Sequence, residues 1–193
     1  EKLGVLPMAG MEFEWFNFQE TPQSWAAKKG VAPEVLTPGM FGYSLLRMAD
    51  EGDFFNALMD DMAAFDVPIE GLHTETGPGV YEAAIGFSEA LAQADRAILF
   101  KAGAREIGKR FGIMPSFMAK WSQQYPGCSG HIHQSLSDGK TNLFYDARSK
   151  RSMSKLFDSY LAGQLQALMQ FAPMFWPTVN SYKRLVDGFW APV

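Results

Sequence analysis

The sequence has a single cysteine, Cys128, in 193 residues. No disulfide can close within the chain. A reducing, cytoplasmic setting is therefore expected, with Cys128 filling a small packing space. No run approaches the ~18 apolar residues of a membrane span, and "EKLGVLPMAG" has no apolar stretch after basic residues that would read as a secretory leader. No membrane partner is expected. No basic block occurs: 17 Lys and Arg stand against 21 Asp and Glu, for a formal net charge of −4. That argues against nucleic acid as a partner. There is no repeat of fixed period, and no Gly-x-Gly-x-x-Gly follows a strand, which removes the dinucleotide-binding fold.

What is present suits a packed domain. Hydrophobic residues make up 47% and charged residues 20%, ordinary for a soluble globular protein. The length fits one sizeable domain. The first residue is Glu1 rather than Met, and the chain stops at "GFWAPV" without a polar tail. Both features are expected of a piece of a longer protein.

Periodicity divides the chain as follows. Residues 1–10, with Gly4, Pro7 and Gly10, read as a lead-in loop. "MEFEWFNFQ" alternates acidic and aromatic residues and predicts a strand over 11–19. Phe13 and Trp15 would face packing, while Glu12, Glu14 and Phe16 face the other way. Residues 20–40 read as irregular. Helical spacing predicts a helix from Asp53, its expected N-cap, to Phe65. Strands follow over 66–75 and 80–87, joined by "GPGV".

A long helix is predicted over 88–112, capped by Ser88, with Leu91, Ala94, Ile98, Ala102 and Ile107 as its apolar stripe. Gly112 would end it after Lys109 and Arg110. Strands over 113–121 and 130–136, a turn at 137–140, a helix over 152–171 and a loop-like remainder complete the reading. The order predicts an α+β fold with a largely antiparallel curved sheet and flanking helices.

Two of the three histidines, His131 and His133, lie one residue apart in "SGHIHQSL". Glu12 and Glu14 have the same spacing in "MEFEWF". In a strand, each pair shares one face. Glu75 and Glu82 also sit in or beside apolar strands, where carboxylates are depleted. A buried carboxylate must be paired, protonated or metal-bound. Oxygen ligands with one imidazole suit Mg²⁺ or Mn²⁺. The alternative is that each glutamate is a solvated strand-edge residue and each histidine a satisfied one.

"EFEWF", "HTETGPGVYEAAI", "SGHIHQSL" and "NSYKRLV", in this order and with "RFGIMPSFMAKW" between the second and third, resemble the catalytic domain of the glutamine synthetase family. The resemblance covers nearly the whole chain. It implies that residues 1–193 are a partial catalytic domain, without the small N-terminal domain and the C-terminal part. By the same resemblance, Glu14, Glu75 and Glu82 correspond to ligands of a first metal, and Glu12 and His131 to ligands of a second. His133, Ser135 and Phe87 correspond to ATP-site residues. Gly127 and Arg184 correspond to substrate-binding residues, Arg184 also acting on the reacting carboxylate. The implied partners are ATP, glutamate or a similar acid, and an amine, with homo-oligomers for the full-length protein.

Two positions depart from the family pattern. Trp190 stands where ammonia-using members carry a glutamate, and Pro126 where an asparagine is usual. Trp190 cannot accept a proton and would form an apolar wall in the substrate site, or else merely pack a loop. The departures favour an ATP-dependent ligase for an amine other than ammonia. The alternatives are a non-catalytic relative and a true glutamine synthetase.

Overall fold

The computed structural model describes residues 4–191. The first strand, β1, spans Leu6–Phe18 and is the spine of a five-stranded sheet. β2 (Ile69–Thr74) pairs with β3 (Val80–Glu89), and β3 pairs with β1. The other edge of β1 is shared. Its first half pairs with β5 (Gly130–Ser137) and its last three residues with β4 (Met114–Ser116). Every pairing is antiparallel, as expected for α+β. The sheet is open and not strongly curled, where a curved one is expected.

β1 begins at Leu6, inside the stretch that reads as a loop, because β5 supplies partners as far as Leu6↔Ser137. Residues 1–3 of that expected loop lie outside the described residues. The stretch 20–40 is not wholly irregular: α1 (Pro22–Ala27) is nucleated by a reciprocal capping box between Thr21 and Ser24. A further short helix, α2 (Leu45–Asp50), precedes α3 (Gly52–Ala64). Asp53 does not cap α3; it sits in the first turn, where its charge suits the helix dipole.

α4 spans Ala90–Arg110 and starts two residues after Ser88. Ser88 is not its cap, because β3 continues through Glu89 in register with Met8. The Ser88 hydroxyl pairs with the Gln93 amide at 2.9 Å instead. The expected apolar stripe is also turned. Leu91, Ala94, Ile98 and Ala102 are exposed, while Gln93, Phe100, Ala104 and Ile107 are buried. Phe100 decides the rotation. Its ring stacks on Phe13 at 5.3 Å and meets Trp15 edge-on at 5.6 Å, burying more apolar area than leucine and alanine would. Gly112, at φ +68°, closes the helix as expected, with Ile113 N–H donating to the Gly108 carbonyl at 2.9 Å.

α3 and α4 cover one face of the sheet. Phe54, Leu58, Met62, Phe100 and Ile107 form the core with Trp15, Tyr81, Ala83 and Ile85. The opposite face is polar in its middle. It closes at one end over a second small cluster of Phe16, Phe18, Val80 and Cys128. Cys128 is a buried free thiol there, in the packing role expected of it.

The expected strand over 113–121 stops at Ser116. Beyond it, the Lys120 backbone is claimed by Asn180, whose Oδ1 accepts from Lys120 N (2.9 Å) and whose Nδ2 donates to Lys120 O (2.7 Å). The last long helix, α5, spans Lys155–Phe175 and is capped by Ser154. The loop-like remainder holds its final turn and a short helix, α6 (Val179–Tyr182). Among the described residues no helix is long and apolar enough to cross a membrane.

One buried charge ties the end of β1 to α1. The Glu20 side chain has no exposure and accepts from Lys28 Nζ, Ser24 Oγ and Glu34 N. These contacts, Lys28 first, hold its pKa down at about 2. The folded-state value is depressed, so this stabilisation is complete above the ordinary value of 4.5 and lost as pH falls through about 2. Glu20→Gln should therefore be less stable than wild type at pH 7. The gap should close between pH 4.5 and 2 in urea unfolding series; a pH-independent gap would refute the ionic origin.

Candidate active site

The polar face of the sheet is built by register. Across β2, β3 and β1, His73 pairs with Glu82, and Glu82 with Glu14. One step along, Ala84 pairs with Glu12, and Glu12 with His131. One step further, Gly10 pairs with His133. Each row differs from the next by two residues, so all these side chains share one face.

Glu12 sits between the two imidazoles. His131 Nδ1 is 2.9 Å from its Oε2, and His133 Nε2 is 3.1 Å from its Oε1. Glu82 lies deeper, with Oε1 at 4.0 Å from His131 Nδ1 and Oε2 at 3.9 Å from His73 Nε2. Glu75 follows the end of β2, where its N–H donates to Val80 O at 2.8 Å and its Oε2 accepts from Thr76 N at 2.9 Å. Its Oε1 is 3.9 Å from His73 Nδ1. Two groups of potential metal ligands result: Glu12, Glu82 and His131, and His73, Glu75 and Glu82. Within each, one ligand atom per residue lies within 4.8 Å of the others. The Glu14 carboxylate lies outside both groups and accepts from Ser129 N at 2.6 Å.

The electrostatics mark the same place. Burial first, and the Glu14 carboxylate second, push Glu82 up to about 6. For Glu12, burial works against ionisation, but hydrogen bonds from His133 and His131 outweigh it and hold the pKa below the usual range. Like charges directly opposite on neighbouring strands cost roughly 0.2–1 kcal/mol, and Glu14 and Glu82 are such a pair. A hard divalent cation would offset this repulsion, and the carboxylate–imidazole donor set fits Mg²⁺ or Mn²⁺.

Two cavities flank the cluster. One, of about 400 Å³, is lined by Met11, Glu12, Phe87, His133 and Ser135 among others. The other, of about 350 Å³, is lined by Glu14, Tyr43, Glu75, Gly127, Arg184 and Trp190 among others. The three residues matched to an ATP site thus share the first cavity, and the three matched to a substrate site share the second. Arg184 is positioned by loops: Nη1 donates to Phe189 O at 3.0 Å and Nη2 to Trp190 O at 3.4 Å, while its buried Nε has no partner. Trp190 is largely exposed and has φ +53°, unusual for a bulky side chain.

Sequence reasoning missed His73, Tyr43 and Asn180. His73 stands two residues before Glu75, the same spacing that singled out the other pairs, so a signal was present. Tyr43 lies on a loop and carried none. Its ring stacks on His73 at 4.6 Å, and the Glu75 carboxylate beside it holds its hydroxyl above the usual range.

A sheet face that gathers three glutamates and three histidines between two cavities defines a candidate cation-dependent catalytic domain. The chain belongs to the glutamine synthetase catalytic-domain family, whose model matches residues 1–193. It is 56% identical over 188 residues to "Type-1 glutamine synthetase 2" of Dictyostelium discoideum, covering 96% of this chain and 36% of that protein. It is 32% identical to a glutamate–isopropylamine ligase of a Pseudomonas species, covering 99% and 42%. The solved ligand-free GmaS has the same fold, with a TM-score of 0.83 at 24% identity over 95% of this chain and 42% of that one. The chain thus spans about two-fifths of the length of these relatives.

Gly127 leaves no room for a side chain. A Cβ there would lie 2.3 Å from Ala119 O and 2.4 Å from Arg184 Cδ. Gly127→Ala should displace Arg184 and cost about 1–3 kcal/mol in urea unfolding. Gly163→Ala, in α5 with nothing within 4 Å, should be neutral or stabilising. Equal effects at both positions would show that the close approach to Arg184 is not what matters.

Proposed function

We propose that the full-length protein is an ATP-dependent carboxylate–amine ligase that makes a γ-glutamyl amide through an acyl phosphate. The observation that carries this reading is the meeting of Glu12, Glu82 and His131 on one sheet face between the two cavities. ATP occupies the cavity of Phe87, His133 and Ser135, and the acid substrate that of Gly127 and Arg184. Glu12, Glu14, Glu75, Glu82 and His131 hold two divalent cations, Mg²⁺ or Mn²⁺. When bound, these ions neutralise the charge that builds up when triphosphate and carboxylate are brought together.

The chain's own groups do the rest. Arg184 holds the substrate carboxylate facing the first cavity and offsets its charge. His133 faces the phosphates from the exposed end of the cluster. The γ-phosphoryl group passes to the side-chain carboxylate of the acid, forming a C–O–P linkage as the bond to ADP breaks. The amine then attacks the acyl carbon, phosphate leaves and the amide remains. The acyl phosphate has to be sheltered from water until the amine attacks. Assembly of the full-length protein into a homo-oligomer belongs to the same proposal.

For the amine, ammonia is the first reading, because the relative at 56% identity is a glutamine synthetase. Trp190 supports a second reading. It puts an indole, with no proton-accepting group, in the wall of the substrate cavity, and amine ligases are among the relatives at 32–33% identity. A non-catalytic role would give no reason for the assembled ligand cluster.

With full-length protein, ATP, Mn²⁺ and glutamate, phosphate release should require added amine. Release with ammonium supports the first reading; release with alkylamines only supports the second. No release with either, under metal-replete conditions, refutes the ligase. Trp190→Glu should raise the ammonium rate relative to alkylamines by tenfold or more, on the order of a general-base contribution; an unchanged ratio would remove Trp190 from amine selection.

A further inference from the structure

We propose that His73 is a cation ligand, completing with Glu75 and Glu82 the site of one of the two ions and biasing it toward Mn²⁺ over Mg²⁺. This rests on the ligase reading and adds to it a residue that the family resemblance did not single out. The β2–β3 register sets His73 opposite Glu82. Its ring nitrogens lie 3.9 Å from Glu75 Oε1 and 3.9 Å from Glu82 Oε2. That is too long for a hydrogen bond. For Nε2 and Glu82 Oε2 it is short enough for two donors that share an ion: with each donor about 2.1 Å from the ion, they lie at most about 4.2 Å apart. Nδ1 faces Glu75 and is not the ligating atom, and one ligand atom each of His73, Glu75 and Glu82 lies within 4.8 Å of the others.

Two contacts orient the ring. Nδ1 lies 3.2 Å from Thr74 O. A proton on Nδ1 donates there and leaves the Nε2 lone pair facing Glu82, the arrangement in which ligating histidines are held by a backbone carbonyl. Tyr43 stacks on the ring at an interplanar angle of 25°, which fixes its plane. Tyr43 is itself anchored to the end of β2, since Tyr43 N–H donates to Thr74 O at 2.7 Å and Ser44 N–H to Thr74 Oγ1 at 2.8 Å. The same strand end therefore places Glu75, His73 and the ring that covers His73. An imidazole among carboxylates softens the donor set, and imidazole is a poorer ligand for Mg²⁺ than for a transition metal.

The test uses full-length protein and Mn²⁺ alone. Pulsed EPR of bound Mn²⁺ in His131→Gln should still show coupling to an imidazole nitrogen, now from His73. Adding His73→Gln should abolish that coupling. In calorimetric titrations His73→Gln should weaken Mn²⁺ binding at one site by about tenfold or more and change Mg²⁺ binding far less. His73→Asn provides a second replacement, and metal-free melting curves check that each variant folds. Absence of nitrogen coupling in His131→Gln, where His73 is untouched, would overturn the proposal. So would Mn²⁺ affinity that ignores both replacements. If wild-type protein bound no Mn²⁺ or Mg²⁺ at all, the ligase reading itself would fall; binding that is indifferent to His73 would sink only the ligand assignment.

Discussion

The structure depends on the register of β1 against its neighbours. β1 has β3 on one edge and β5 on the other along most of its length. Because side chains alternate, a slip of one residue would send Glu12 and Glu14 into the Trp15–Phe100 core and bring Phe13 and Trp15 into the polar face. The cost of burying two carboxylates among aromatic rings, still several kcal/mol each after relaxation, makes that slip prohibitive. The hydrophobic face thus locks the polar one. Packing of Trp15, Phe100 and Leu58 under α3 and α4 is what holds the glutamates and histidines in line on the other side.

That alignment stores a local conflict. Glu82 faces Glu14 across one strand pair and is buried enough for its pKa to rise. Folding stability alone would favour a neutral residue there. The repulsion is tolerated because the opposite face supplies most of the apolar burial. A divalent cation would convert the same carboxylates from a liability into ligands.

The second cavity is built differently. Glu14 comes from the sheet and Glu75 from the residue just after β2, but Gly127, Arg184 and Trp190 come from two loops far apart in sequence. These loops are joined by the two-way hydrogen bond between Asn180 and the Lys120 backbone. The buried Lys120 ammonium reinforces the join, donating to Tyr125 O at 2.9 Å and lying 4.5 Å over the Phe189 ring. Glu14 adds a third tie by accepting from Ser129 N. The candidate ligand cluster rests on strand ladder and the wall of the second cavity on loop contacts, so changes in that wall need not disturb the cluster.

The antiparallel α+β class, the paired faces of β1 and β5, and the basic, glycine-terminated end of α4 were legible in the residues, since each follows from local alternation or from a local cap. The order of four short motifs pointed to the family. The rotation of α4 was not legible. Several helical stripes were compatible with its sequence, and only the position of Phe13 and Trp15 on the neighbouring sheet chose the one through Phe100. The role of Ser88 was decided the same way, because an available strand partner outcompeted a helix cap. His73 could have been noticed by its spacing from Glu75, but Tyr43 could not.

Sequence alone determined which side chains share a strand face, because a period of two is a property of the backbone. Tertiary structure decided which faces meet, since hydrogen bonds between strands distant along the chain bring Glu12, Glu82 and His131 within one ion's reach.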